Sequence, residues 1–154
     1  MKTLTLALAL SLSATGVAAL PATAQAADDL IYTGLFSNTA VGGYDTVSYH
    51  TGGEPVRGSR EFRTDWQGAE WRFASQDNLD LFLADPERYA PAYGGHCAWA
   101  MAQGYSAKGA PDIWRIVDDV LYLNFDQSVQ EMWEADIPGF IEAADANYPA
   151  VLED

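Results

Sequence analysis

The sequence predicts an α+β domain in which a small antiparallel sheet of hairpins packs with several short helices. Three observations carry that class. Residues 61–66 and 70–73 alternate apolar and polar side chains around Gln67-Gly68, the period-2 pattern of a hairpin. Residues 113–117 and 120–125 form a second such pair around Asp118-Asp119. Apolar residues at helical spacing follow each pair, Leu79, Phe82 and Leu83 after the first, Val129, Met132 and Trp133 after the second. Strands and helices interleave without a regular βαβ order, which argues against a layered parallel sheet.

Taken in order, residues 27–43 read as an irregular lead-in ending in Gly42-Gly43. Residues 45–50 read as a strand with Val47 and Tyr49 on one face, and residues 51–55 as a loop rich in Gly and Pro. In the first hairpin Phe62, Thr64 and Trp66 share one face, with Trp71 and Phe73 inward on the return strand. Ser75 caps the helix that carries Leu79. Asp85-Pro86 stops it, with one further turn over residues 86–89. Tyr93-Gly94-Gly95 reads as a flexible joint. Residues 97–102 contain no helix breaker and hold three alanines, so a short helix is expected there. Asp136 caps a last helix with Ile137, Phe140, Ile141 and Ala144 on its buried face. No internal repeat is apparent in the sequence.

The chain has 154 residues, 49% of them hydrophobic, enough to bury a core and to exclude intrinsic disorder. Asp and Glu number 22 against 8 Lys and Arg, a formal net charge of −14. Such a surface has little with which to displace counterions from nucleic acid or to dock on anionic lipid. Residues 1–26 have the form of a cleaved signal peptide: Lys2, an apolar stretch from Leu4 to Leu20, Pro21, and Ala24-Gln25-Ala26 as the small-x-small recognition pattern. Cleavage after Ala26 and export to a periplasm are expected, leaving residues 27–154 as one domain. No second stretch reaches the roughly 18 apolar residues of a spanning helix, so no membrane association is expected after cleavage.

The single cysteine, Cys97, excludes an intrachain disulfide. At the start of a short helix its sulfur would meet unpaired backbone N–H groups and the positive end of the helix dipole, which favour a thiolate. Met101, four residues on, would share its helix face. A thiolate with a thioether is a soft pair suited to Cu(I). His96 and His50 are the candidate helpers, His96 from the joint before the helix and His50 from the end of the expected strand. Beside this stands a packing reading, in which Cys97 and Met101 are core side chains. No paired carboxylates or phosphate-binding loop are present, and no catalytic residues are assigned.

Several motifs resemble the exported YHS-domain proteins: Ala40-Val41-Gly42-Gly43-Tyr44-Asp45 followed by Val47 and Tyr49, Trp71-Arg72-Phe73-Ala74-Ser75, Asp85-Pro86-Glu87-Arg88-Tyr89-Ala90-Pro91, and Tyr93-Gly94-Gly95-His96-Cys97-Ala98-Trp99-Ala100. The closing Asp136-Ile137-Pro138-Gly139 and Ala144-Asp145-Ala146-Asn147-Tyr148-Pro149 fit as well, so the resemblance runs over residues 40–150. It implies a link to heavy-metal handling. The branch with a Tyr-Gly-Gly-x-Cys motif includes relatives with selenocysteine at the position of Cys97, implying redox chemistry or soft-metal binding there. The aromatic-Cys-Ser-x-x-Cys element of the metal-type members corresponds to Phe73-Ala74-Ser75-Gln76-Asp77-Asn78, so its cysteines are absent. The resulting expectation is a periplasmic module that binds a soft metal, copper before others, through Cys97 with Met101, His96 and His50 as candidate ligands. The alternatives are a thiol-based redox protein that relies on an external thiol or partner protein, and a structural or interaction domain.

Overall fold

The structure, a computed structural model, describes residues 30–153. The expected signal peptide at residues 1–26 lies outside them. Among the described residues, six helices and three separate two-stranded antiparallel sheets make up the α+β fold. In order they are β1 (Tyr44–Asp45), α1 (Thr46–Thr51), β2 (Val56–Arg57), β3 (Ser59–Trp66), β4 (Ala69–Phe73), α2 (Gln76–Ala84), α3 (Pro86–Tyr89), α4 (Ala98–Ala102), β5 (Trp114–Val117), β6 (Val120–Leu123), α5 (Gln127–Glu134) and α6 (Ile137–Asn147). The pairs are β1–β2, β3–β4 and β5–β6. Among the described residues no helix is long and apolar enough to cross a membrane.

Both expected hairpins form, each closed by two residues of positive φ: Gln67 and Gly68 in the first, Asp118 and Asp119 in the second. Such turns match the right-handed twist of the strands they join. The two expected helix caps also form, Ser75 Oγ accepting from Asn78 N and Asp136 from Gly139 N, and the structure adds Asp126, which accepts from Val129 N.

The expected strand over residues 45–50 is instead the helix α1. Asp45 caps it, accepting from the N–H groups of Val47 and Ser48, and only Tyr44–Asp45 remains extended. The joint at Tyr93-Gly94-Gly95 is a fixed, buried turn, with φ of 55°, 61° and 87°. Leu83 and Met132, expected on buried faces, are 55% and 44% exposed, because each lies at the edge of its helix's apolar stripe.

An internal repeat is present in the backbone. The first half runs through a turn at Ala40–Gly43, β1, α1, the hairpin β3–β4, α2 and α3. The second runs through a turn at Ala92–Gly95, an extended pair at His96 and Cys97, α4, the hairpin β5–β6, α5 and α6. The dihedral angles agree at the equivalent turns and helix starts. Val41 and Gly42 have φ/ψ of 50°/33° and 59°/19°, and Tyr93 and Gly94 have 55°/31° and 61°/17°. Asp45, at the start of α1, has −77°/108°, and Cys97, at the start of α4, has −62°/120°. Asp85 and Asp136 have −153°/77° and −153°/69°. Gly58 N donates to Gly43 O at 2.9 Å, and Gly109 N to Gly95 O at 3.1 Å.

The apolar core divides along the same line. One cluster gathers Val47, Tyr49, Trp71, Phe73 and Phe82 of the first half, with Leu121 and Leu123 crossing to it from β6. The other gathers Tyr93, Ala98, Met101, Tyr122, Trp133 and Ala144. Aromatic rings stack within each, Trp71 and Phe73 on Phe82, Tyr122 on Trp133.

Candidate functional site

The repeat gives each half a socket at the start of its first helix, where the N–H groups of the opening turn have no intrahelical partner. In the first half a carboxylate fills it. Asp45 is fully buried; its Oδ1 accepts from Val47 N at 2.9 Å and Ser48 N at 3.2 Å. Its Oδ2 accepts from Ala74 N at 2.8 Å and Asn78 Nδ2 at 2.7 Å. Four charge-assisted hydrogen bonds thus offset the burial of one charge.

In the second half the equivalent position is Cys97, 1% exposed. The backbone N–H groups of Ala100, Phe125 and Trp99 bear on its sulfur. They correspond to those of Ser48, Ala74 and Val47. Burial pushes the thiol's pKa up; these N–H groups pull it down without cancelling that rise, and Asp126 adds to it. The thiol donates to Asn124 Oδ1 at 3.6 Å, and the same oxygen accepts from Trp99 N at 3.1 Å. Asn124 is itself fully buried, and its Nδ2 donates to Gln130 Oε1 at 2.8 Å. Gln130 Nε2 donates in turn to Trp114 O at 3.2 Å and Glu134 Oε1 at 2.9 Å. Arg115 holds Glu134 at the surface, and that contact holds the Glu134 carboxyl below the usual carboxylate range.

Cys97 also lines a surface cavity of about 210 Å³ with Trp99, Ala100, Tyr105, Ala107, Phe125 and Val129. Tyr105 and Phe125 form an exposed apolar lip, and Lys108 Nζ stands 5.4 Å from the centre of the Phe125 ring. Val129 holds the place on α5 that Asn78 holds on α2, since each is the third residue past its cap. Where an amide closes the first socket, the second opens onto a mostly apolar space.

The other expected ligands have different surroundings. His96 is buried, its Nδ1 2.9 Å from Ser106 Oγ and its ring edge-on to Tyr32. It lines a separate cavity of about 340 Å³ with Tyr32, Leu35 and Val151. Met101 is fully buried in the second core cluster. The His50 side chain is 5% exposed, with Nδ1 3.5 Å from Asp119 Oδ1 and the ring edge-on to Tyr89. Burial pulls its pKa below the usual histidine value, outweighing the Asp119 carboxylate. Among the described residues no three His, Cys, Asp or Glu side chains converge as a metal cage. The site that geometry does assemble is Cys97, Asn124 and the cavity. Asn124 is legible in the sequence only as a lone polar residue inside the apolar run Leu121-Tyr122-Leu123-Asn124-Phe125.

A family model described as YHS domain matches residues 47–93. No curated protein and no solved structure matches the chain.

Proposed function

With a YHS domain at residues 47–93 as the premise, a family often linked to metal handling, we propose that the chain is a metal-binding module that takes one soft monovalent ion, Cu(I), at Cys97. The observation that carries this reading is the sulfur's position, between a set of backbone N–H donors and an apolar cavity just beyond the matched segment. Charge selects the ion. Replacing the thiol proton with Cu(I) leaves the site neutral, whereas a divalent ion leaves a net positive charge against apolar walls. The N–H groups around the sulfur support it as a thiolate once the proton has left. One protein sulfur does not complete the coordination of Cu(I), so a second donor comes from outside the chain through the cavity mouth, a neutral one that keeps the site uncharged. A signal peptide over residues 1–26 would put this exchange in a periplasm. The upward displacement of the thiol's pKa weakens the rival redox reading, which needs a thiolate in the resting protein.

Competition titration against a Cu(I) chelator tests the proposal. One equivalent is expected to bind, with the affinity abolished in Cys97→Ser and changed no more than about threefold in His50→Gln or Met101→Leu. The sign of the pH dependence follows from proton release: below the raised pKa of the thiol, each unit of acidification weakens binding about tenfold. Equal affinity in wild type and Cys97→Ser overturns the proposal.

A further inference from the structure

The two sockets differ in one way that the repeat makes visible. Asp45 supplies both the side chain at the helix start and the oxygen that caps the helix. Cys97 supplies no cap, and the oxygen that meets the N–H of Trp99 at the start of α4 comes from Asn124, the residue that follows β6, 25 positions along the chain. The first-half residue equivalent to Asn124 is Phe73, an apolar core side chain, counting back from the helix caps Ser75 and Asp126.

From this difference we infer that the second half is a diverged copy of the first, and that Asn124 is the positioning residue of the Cys97 site. By taking over the capping of α4, Asn124 releases the side chain at position 97 from that duty. By accepting the S–H, it turns the proton inward and leaves the sulfur lone pairs for the cavity. Asn124 cannot reverse its amide without cost, because its Oδ1 holds Trp99 N and its Nδ2 holds Gln130, which is anchored in turn by Glu134 and Trp114 O. The assignment of a role to the sulfur rests on the metal-binding reading above; the exchange of caps does not.

A double-substitution cycle in metal-free protein tests it. Asn124→Leu removes the cap and the S–H acceptor while keeping the branched shape and heavy-atom count of the side chain. The variant is expected to melt at a lower temperature, to show its infrared S–H stretch at higher frequency, and to lower the thiol's ionisation midpoint by about one pH unit. Adding Cys97→Asp to Asn124→Leu rebuilds the backbone part of the first-half arrangement. The N–H groups of Trp99, Ala100 and Phe125 stand for those of Val47, Ser48 and Ala74, while Val129 offers no counterpart to the Asn78 amide. The melting temperature is therefore expected to recover in part, against the usual outcome of burying a carboxylate. If Asn124→Leu fails to fold, a folded double variant supports the inference and an unfolded one overturns it. Additive destabilisation in the double variant, or an unmoved S–H stretch and midpoint in a folded Asn124→Leu, also overturns it. None of these readouts involves copper, so failure here is distinguishable from a failure to bind the metal.

Discussion

Asp45→Ala is expected to lower the stability of the protein by about 4 kcal/mol, read as a lower midpoint in urea unfolding with an unchanged slope. The carboxylate is fully buried and accepts four hydrogen bonds. Removing it leaves the N–H groups of Val47, Ser48 and Ala74 and the amide of Asn78 facing a cavity with no acceptor. Unpaired buried donors each cost about 1–3 kcal/mol, and partial rehydration keeps the sum below the simple total. The bonds join α1 to the end of β4 and to α2, so the loss falls on the first half's tertiary structure as well as on one helix. Asp45→Asn retains an acceptor and is expected to fall between the two.

Gly94→Ala should be nearly as damaging, at about 3 kcal/mol, for a reason its repeat partner isolates. Gly42 and Gly94 share φ near 60°, a region that disfavours any residue with a Cβ. A Cβ on Gly42 meets nothing nearer than Pro111 Cγ at 3.7 Å. One on Gly94 would lie 1.7 Å from Leu30 O, a backbone atom that no rotamer change can move. The Leu30–Tyr32 segment must then lift, breaking the Tyr32 N to Gly94 O bond of 2.9 Å and the ring contact of Tyr32 with His96. Gly42→Ala carries only the conformational strain, about 1 kcal/mol. Thermal or urea unfolding of the two variants side by side gives the close approach as their difference, and equal losses would show that the clash at Leu30 contributes nothing.

Much of the fold was legible because its signals are local. The hairpins follow from period-2 alternation and two-residue turns, and four helices besides α1 begin at a Ser or Asp cap whose bond spans three residues. The misread element, α1, shows where local signals end. Val47 and Tyr49 alternate as in a strand, and a six-residue helix has little propensity to assert against that pattern. What decides it is the grip on Asp45 from Ala74 and Asn78, 29 and 33 residues away in the chain. The repeat is written in φ and ψ, and its only clear trace in sequence is the pair Ala40-Val41-Gly42-Gly43 and Ala92-Tyr93-Gly94-Gly95.

The candidate site divides in the same way. Placing Cys97 at the start of a helix needed only the run of alanines after it. Pairing it with Met101 assumed helical spacing from Cys97 itself. That residue is extended, however, and the helix begins at Ala98, so Met101 turns into the core with Tyr93 and Trp133. The helix start by itself favours the thiolate, but burial, which the sequence pattern around Cys97 does not grade, outweighs the surrounding N–H groups.

The most direct measurement of copper at Cys97 is protection of its thiol. Metal-free protein and protein holding one equivalent of Cu(I) are treated with an alkylating reagent small enough for the cavity, and the adduct is followed by intact-mass spectrometry. Slow alkylation of the metal-free thiol and near-complete protection by bound copper, reversed by a Cu(I) chelator, is the expected result. Alkylation of Cys97 at an undiminished rate while the copper stays bound would contradict a sulfur–copper bond and move the metal elsewhere on the chain.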